Sequence, residues 1–244
     1  MTFRWLLVLL LFTTACFGQE QVSKKTFPEI ALTNQIAFAD PQYDQPRFSC
    51  GFLLKHQNDT LAVTAKHLLK VIKPKGMKAL SFGNSVKSWL LFPLPDKARR
   101  VVTNRLLNEN KAESLEDKAT YDQDWLVFSI QSNHSRIKPL EARTTPLQPG
   151  EKLYVVGWTR HMDSGPQRVY EFEYYKTIDN RILVKDVVVP EQFGGLSGAP
   201  LVDEQGQVVG IVSNGTVDPT SGKKYFSPCA ITGLLSFLDT YQKK

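Results

Sequence analysis

The sequence has few cysteines and no long apolar run, and both absences restrict the class of protein. Only 3 of the 244 residues are cysteines, which excludes a small domain held together by a disulfide framework. No segment approaches the roughly 20 consecutive apolar residues that a membrane-spanning helix needs. A hydrophobic core must therefore stabilise the chain, and its 42% hydrophobic content is ordinary for a globular protein.

Motifs that bind metals or nucleotides are also missing. The chain contains no HExxH, CxxC, GxxxxGK[ST] or GxGxxG pattern. Its net charge of +6 is dispersed, whereas nucleic-acid-binding proteins concentrate basic charge in a stripe. We interpret the basic stretches Lys70–Lys78 and Arg99–Arg100 as solvated surface. The sequence therefore predicts no metal, no other cofactor and no nucleic-acid partner.

Residues 1–18 have the layout of a secretory signal peptide. Arg4 precedes the eight-residue apolar run from Trp5 to Phe12, and small or polar residues follow up to Gly18. Cleavage after Gly18 would leave two cysteines and a net charge of +5. We predict a secreted or periplasmic protein. The alternative is a lipoprotein acylated at Cys16, the only case in which we expect contact with a membrane; the sequence leaves the oligomeric state open.

The remaining chain has the pattern of an all-β protein. Short apolar, β-branched or aromatic runs recur between turn signals, and regular alternation of strands with helices is absent. The predicted strands are Gly51–Leu54, Thr60–Thr64, Trp125–Ile130, Leu153–Gly157, Val169–Tyr175, Ile182–Val189, Leu201–Val202 and Val208–Ser213. Such a series of short strands indicates a sandwich or a barrel.

The sequence also predicts one helix and a division into two halves. Leu234, Leu235, Phe237, Leu238 and Tyr241 form one apolar stripe at helical spacing. Thr232 is the expected N-cap of this C-terminal helix. The polar region 105–120 is expected to form an exposed loop or a short helix. A proline-rich segment, 143–150, suggests a boundary, with an N-terminal half at 19–145 and a C-terminal half at 146–244.

Glycines surround Ser197 in the stretch GGLSGAPLV (residues 194–202). A nucleophilic serine needs a neighbouring base, and the oxyanion formed in its reaction needs unobstructed backbone N–H donors. These glycines would permit a tight turn that aims the N–H groups of Gly195 and Ser197 at one point. An ordinary glycine-rich hairpin is the alternative, but GIVSNG follows at residues 210–215 after a Leu-Val strand and a turn.

Together these stretches resemble the nucleophile motif of chymotrypsin/trypsin-like serine peptidases, GDSGGPLV followed by GIVSWG. A second stretch, Ser49–Leu69, is similar to the family's CGGxL…LTAAHCL and places His67 on the catalytic histidine. A third, DQDWLVF, is similar to DIALL and places Asp124 on the catalytic aspartate, with Asp122 as the alternative. The departures from the longer motifs suggest a bacterial-type member.

The order His67, Asp124, Ser197 agrees with this family and separates it from competitors. An α/β-hydrolase needs a histidine after the serine, and no histidine follows Ser197. The subtilisin order needs an aspartate before the histidine, but that fold is α/β and disagrees with the predicted strands. The aspartates that would satisfy that order are Asp40, Asp44 and Asp59.

The resemblance implies two six-stranded antiparallel β-barrels with a C-terminal helix, and an endopeptidase that acts on proteins or peptides through an acyl-enzyme. It implies a role for each matched residue. These are Ser197 as nucleophile, His67 as base, Asp124 as its orienting partner, Gly195 and Ser197 as N–H donors of the oxyanion hole, Ser213 as support for Asp124, and Gly215 as a backbone contact for the substrate.

Departures from the family pattern leave specificity and even activity open. Glu191 lies six residues before Ser197, where the family has the base of its specificity pocket; an acid there would favour Lys or Arg in the substrate, unless Glu191 lies in an exposed loop. Leu196 replaces the aspartate that binds a new N-terminus in zymogen-type members, which implies activity without that switch. The same change and the shortened serine motif support the alternative of a catalytically silent binding module, and an esterase on the peptidase fold is a third alternative.

Cys50 and Cys229 are the two cysteines that remain after removal of the predicted signal peptide. Two buried apolar thiols are the interpretation that we favour. A disulfide between them is the alternative in an oxidising compartment.

Overall fold

The computed structural model of the protein describes residues 23–117 and 121–241. The predicted signal peptide at 1–18, including Cys16, lies outside these residues. Within the two described ranges, no helix combines the length and the apolar composition that a membrane crossing requires.

The first half of the chain forms a closed barrel of six strands. Its elements are β1 (Ala31–Phe38), β2 (Gln45–His56), β3 (Asp59–Thr64), α1 (His67–Ile72), β4 (Ala79–Leu80), β5 (Val86–Phe92), β6 (Val101–Leu106), β7 (Asn110–Ser114), β8 (Leu126–Asn133) and β9 (Leu140–Glu141). The strand order is β1-β5-β6-β8-β3-β2, and pairing of β1 with β2 closes the barrel. Outside it, β9 pairs with β2 in parallel, and β4 pairs with β7.

The second half repeats this plan. Its elements are β10 (Lys152–Gly157), β11 (Arg168–Ile178), β12 (Arg181–Val188), β13 (Pro200–Val202), β14 (Val208–Ile211), β15 (Gly215–Val217), β16 (Lys224–Phe226), β17 (Cys229–Ala230) and α2 (Ile231–Tyr241). The order β11-β10-β13-β14-β17-β12 is closed by antiparallel pairing of β11 with β12. The hairpin β15–β16 extends the sheet beside β12. The predicted fold of two six-stranded barrels is therefore confirmed, and the predicted division at 145/146 lies in the connection between β9 and β10.

Aromatic packing fills the first barrel and fixes the strands that carry the site. Trp89 of β5 stacks on Phe82, with ring centroids 5.8 Å apart, and packs against Phe128 of β8 at 5.2 Å. Its buried indole N–H donates to the Asn34 side-chain oxygen at 2.9 Å. The Asn34 amide in turn donates to the carbonyl oxygen of Cys50 at 2.9 Å. These two hydrogen bonds tie β1 to its neighbours β2 and β5.

The C-terminal helix is present, but its start differs from the prediction. The helix α2 begins at Ile231, so Thr232 lies inside it and is not the N-cap. Ile231 is itself buried, so packing of the preceding strand fixes where the helix begins. Leu234 is also buried, and Phe237 packs against Trp125 with ring centroids 5.1 Å apart. The helix thus covers the residue that follows Asp124 in the first barrel.

The expectation of a loop or short helix at 105–120 is wrong for the residues described there. The strand β6 ends at Leu106, and β7 follows at Asn110–Ser114. Its burial pattern shows no alternation because most of its residues are exposed. Pairing with β4, with Ala79 opposite Ser114, determines this strand. Such a strand depends on tertiary context and has no signature in the sequence.

The two cysteines are free and buried. Burial raises the pKa of the Cys50 thiol to about 12, and its sulfur accepts the Trp158 backbone N–H at 3.5 Å. The interpretation as buried thiols is confirmed, and the alternative of a Cys50–Cys229 disulfide is excluded in this structure.

Candidate active site

His67 lies shortly after the end of a central strand of the first barrel. The strand β3 is held between β2 and β8, and the chain then turns into the short helix α1, whose first residue is His67. The side chain is largely buried, with about a tenth of its surface exposed. Because β3 is paired on both sides, the position of this ring is fixed by the barrel.

Asp124 immediately precedes Trp125 and β8 and is completely buried. One carboxylate oxygen accepts the backbone N–H of His67 at 2.7 Å, and the other lies 2.6 Å from His67 Nδ1. That second oxygen also accepts a short hydrogen bond from the hydroxyl of Ser213. The aspartate that contacts His67 is therefore Asp124, whereas Asp122 is exposed on the preceding turn.

The pKa of Asp124 is held below its usual value. Burial acts to raise it, but the hydrogen bonds and charge of the His67 ring, the Ser213 hydroxyl and the His67 N–H together outweigh burial. The carboxylate is consequently ionised at neutral pH, although it is removed from solvent. An ionised carboxylate at Nδ1 favours the tautomer that leaves Nε2 free to accept a proton.

Ser197 lies on a turn that precedes β13, and its Oγ is 2.9 Å from His67 Nε2. Bonds to both barrels fix this turn. The Cys50 N–H, from the first barrel, donates to the Ser197 carbonyl at 2.9 Å. The Gly198 N–H donates to the Val212 carbonyl in the second barrel, also at 2.9 Å. The structure thus brings Ser197, His67 and Asp124 into one hydrogen-bonded chain.

Gly195 adopts a conformation that only glycine tolerates here. Its φ is +98°, and a Cβ atom would lie 2.4 Å from the Arg160 nitrogen. The Gly194 carbonyl accepts the Arg160 N–H at 2.7 Å. In a planar trans peptide the N–H points opposite to the carbonyl. The Gly195 N–H is therefore directed away from Arg160.

Leu196, where zymogen-type members carry an aspartate, is fully buried in the core between the barrels. Its backbone N–H donates to the Phe193 carbonyl at 3.1 Å, and its carbonyl accepts the Ala199 N–H at 2.8 Å. The turn around Ser197 is thus held by apolar packing and backbone hydrogen bonds. No buried charge is required at this position.

A cavity of about 440 Å³ adjoins Ser197. Apolar walls come from Phe193, Val212 and Phe226, and the rings of Phe193 and Phe226 pack with centroids 4.7 Å apart. Gly215, which is predicted to contact the substrate, is among the lining residues, and the Lys224 side chain lies close to it.

The prediction that Glu191 forms the base of this cavity needs correction. Glu191 is exposed and does not line the cavity. The acid and the base that do line it are Asp186 and Lys224, from β12 and β16. Glu191 lies on an exposed bend, the alternative that the sequence had left open.

Arg181, at the start of β12, is a neighbour of the site that sequence reasoning missed. Its guanidinium donates to the Ser213 hydroxyl at 3.0 Å and to the carbonyls of Asn214 at 2.6 Å and Tyr121 at 3.2 Å. A single arginine at the start of a strand gives no sequence signal. Only the fold brings it behind Ser213.

The comparison with family models decides the classification. The model of the trypsin-like peptidase domain matches residues 49–211, about two thirds of the chain. The chain belongs to the trypsin-like peptidase family. The match spans the histidine, the aspartate and the serine of the hydrogen-bonded chain described above. No curated protein matches.

Solved structures of other proteins share the fold. The structure of GrC is similar with a TM-score of 0.60 and 17% identity, over 93% of this chain and 99% of that one. The active form of the Rv3671c protease from M. tuberculosis is similar with a TM-score of 0.51 and 15% identity, over 85% of this chain and 79% of that one. At these identities the likeness concerns the fold alone.

Proposed function

We propose that this trypsin-like peptidase is an exported serine endopeptidase that cleaves proteins or peptides. The observation that carries the proposal is the unbroken chain from the Ser197 hydroxyl through the His67 ring to the buried Asp124 carboxylate, with contacts of 2.9 and 2.6 Å. Export is proposed from residues 1–18 alone. A silent binding module would not need an ionised carboxylate buried at the far side of a histidine, so the geometry favours hydrolysis.

In the proposed mechanism, Ser197 Oγ attacks the scissile carbonyl carbon while His67 Nε2 takes its proton. The tetrahedral oxyanion accepts hydrogen bonds from the backbone N–H groups of Gly195 and Ser197. The imidazolium then donates its proton to the leaving amine, and an acyl-enzyme on Ser197 remains. Water, deprotonated by the same imidazole, releases the acid product. Asp124 stays ionised throughout and stabilises the imidazolium.

Labelling with a fluorophosphonate probe tests the nucleophile directly. The purified protein should form a stable adduct on Ser197 at neutral pH, because His67 Nε2 contacts this hydroxyl. The Ser197→Ala variant should show no adduct, and Ser236→Ala, which changes a serine of the C-terminal helix, should label as the wild type does. Labelling is measured by intact mass and peptide mapping. Failure of the folded wild type to label, or labelling that persists in Ser197→Ala, would contradict the proposal.

The cavity lining supports a preference for an apolar side chain on the acyl side of the cleaved bond. Peptide p-nitroanilides with Phe or Leu at that position should have kcat/KM values about tenfold or more above the Arg peptide. The reason is that aromatic and aliphatic walls surround the cavity, and burial raises the pKa of Asp186, which disfavours its negative charge. Faster cleavage of the Arg peptide, abolished in Asp186→Asn, would instead assign Asp186 as the base of the pocket.

A further inference from the structure

The cation Arg181 contacts Ser213, the residue whose hydroxyl donates to Asp124 of the active site. Arg181 is partly buried, and burial lowers its pKa below the usual value, while neighbouring acidic groups, Asp124 and Asp122 among them, act in the opposite direction. A guanidinium remains charged under these conditions. Burying a charge is unfavourable unless its donors are satisfied, so its partners indicate its role.

The donors of Arg181 are spread over segments that meet at the site. One terminal nitrogen donates to Ser213 Oγ at 3.0 Å and to the Tyr121 carbonyl at 3.2 Å. The other donates to the Asn214 carbonyl at 2.6 Å, and Nε donates to Ser227 Oγ at 3.3 Å. The planar guanidinium of Arg181 thus connects the chain just before Asp124 to the 213–214 segment of the second barrel.

This arrangement dictates the direction of the Ser213 hydroxyl. The Ser213 oxygen accepts from Arg181, so its own proton is free for Asp124, to which it donates. Without that donor the hydroxyl could rotate, and the Asp124 oxygen that faces His67 would lose a defined partner. The guanidinium also fixes the Asn214 carbonyl, which lies at the edge of the cavity next to Gly215.

We propose that Arg181 is a positioning residue of the active site: it orients Ser213 toward Asp124, fixes the 213–214 segment, and places a positive charge behind the carboxylate. This inference rests on the proposed peptidase function. Arg181 touches neither the substrate nor the reacting atoms, and its effect reaches His67 through Ser213 and Asp124.

The charge of Arg181 should influence the proton affinity of His67. His67 must be neutral to accept the Ser197 proton, so the acid limb of the rate profile follows its protonation. A nearby positive charge disfavours a second positive charge on the ring. Removal of that charge should therefore move the acid limb to higher pH.

Other titratable or charged groups lie around Asp124 and Arg181. They are Tyr121, Asp122, Lys66 with its partner Glu113, Lys70, and Cys229, whose pKa is raised by burial.

The test measures second-order rates of fluorophosphonate labelling from pH 5 to 9, which does not require a known substrate. Arg181→Gln should label on the order of 10- to 100-fold more slowly than the wild type, and its acid limb should lie about 0.5 to 1 pH unit higher. Arg181→Lys should keep the wild-type acid limb, because its charge remains, but label more slowly, because an ammonium cannot reproduce the fork. Arg99→Gln is the matched control: Arg99 also donates to a backbone carbonyl, that of Ser135, but far from the site.

Each outcome separates this inference from the proposed function. If the wild type does not label, the proposed function fails and the inference with it. If the wild type labels and Arg181→Gln matches it in rate and acid limb, or is slower with an unmoved acid limb, only the inference is overturned. If Arg181→Gln does not fold, Arg181→Lys is combined with Ser213→Ala. If the effects of the two substitutions on the labelling rate are not additive, Arg181 acts through Ser213; additive effects contradict the proposal.

Discussion

Replacing His67 with alanine is expected to lower peptide hydrolysis on the order of 10⁴-fold or more. The ring bridges the Ser197 hydroxyl and the Asp124 carboxylate, with contacts of 2.9 and 2.6 Å. Without it, the serine has no base and the leaving amine has no acid. Initial rates on a casein-type substrate measure the effect, and circular dichroism establishes that the variant folds.

Two further variants make this result specific. His134→Ala changes an exposed histidine after β8 and should retain full activity. Asp124→Asn should lose about 10⁴-fold, because the amide removes the ionised acceptor at Nδ1 and favours the wrong tautomer of His67. A folded His67→Ala protein that retains more than a few per cent of wild-type activity would show that hydrolysis arises elsewhere.

Replacing Gly195 with alanine should reduce kcat by about 10²- to 10³-fold, the usual loss for one oxyanion donor. The added Cβ would lie 2.4 Å from the Arg160 nitrogen and 2.7 Å from the Thr159 carbonyl carbon. Both are backbone atoms that cannot yield as a flexible side chain would, so the 194–195 peptide must rotate. Rotation removes the Gly195 N–H from its place in the oxyanion hole. Single-turnover kinetics with an activated ester measure the acylation step.

Gly150→Ala is the matched control for that experiment. Gly150 has a similar φ of +89°, but an added Cβ would meet nothing within 4 Å. It carries the same backbone strain, of about 1 kcal/mol, without the clash and away from the site. Gly150→Ala should lose some stability and keep its activity. Equal activity losses in the two variants would show that strain alone, and no missing N–H donor, explains the effect.

The strand pattern alone predicted a sandwich or a barrel, and the resemblance of short motifs to the trypsin-like family supplied the two six-stranded barrels and the candidate residues His67, Asp124 and Ser197. A strand with two buried faces must be apolar, as LYVV in β10 is, and a serine in a tight turn must be flanked by glycines. His67 and Asp124 adjoin such strands, so the motif fixes both the residue and its position on the barrel. The choice between Asp122 and Asp124 needed coordinates, since both precede the same strand by a few residues.

Features created by distant contacts could not be predicted in this way. The strand β7 is polar and exists through pairing with β4. Glu191 was assigned by counting along a loop, and the length of a loop does not determine where its side chains point. Arg181 acquires its role only when β12, the 213–214 segment and the turn before Asp124 meet. In each case the decisive partner lies far away in the chain.

The hydrogen bond from the Cys50 N–H to the Ser197 carbonyl joins the first barrel to the turn of the second that carries the nucleophile. Separation of the two halves would therefore release this turn at the same moment that it withdraws the histidine. A molecule whose halves have separated, for example under heat, would carry no assembled site. Docking of the halves is therefore a condition for bringing Ser197 and His67 together.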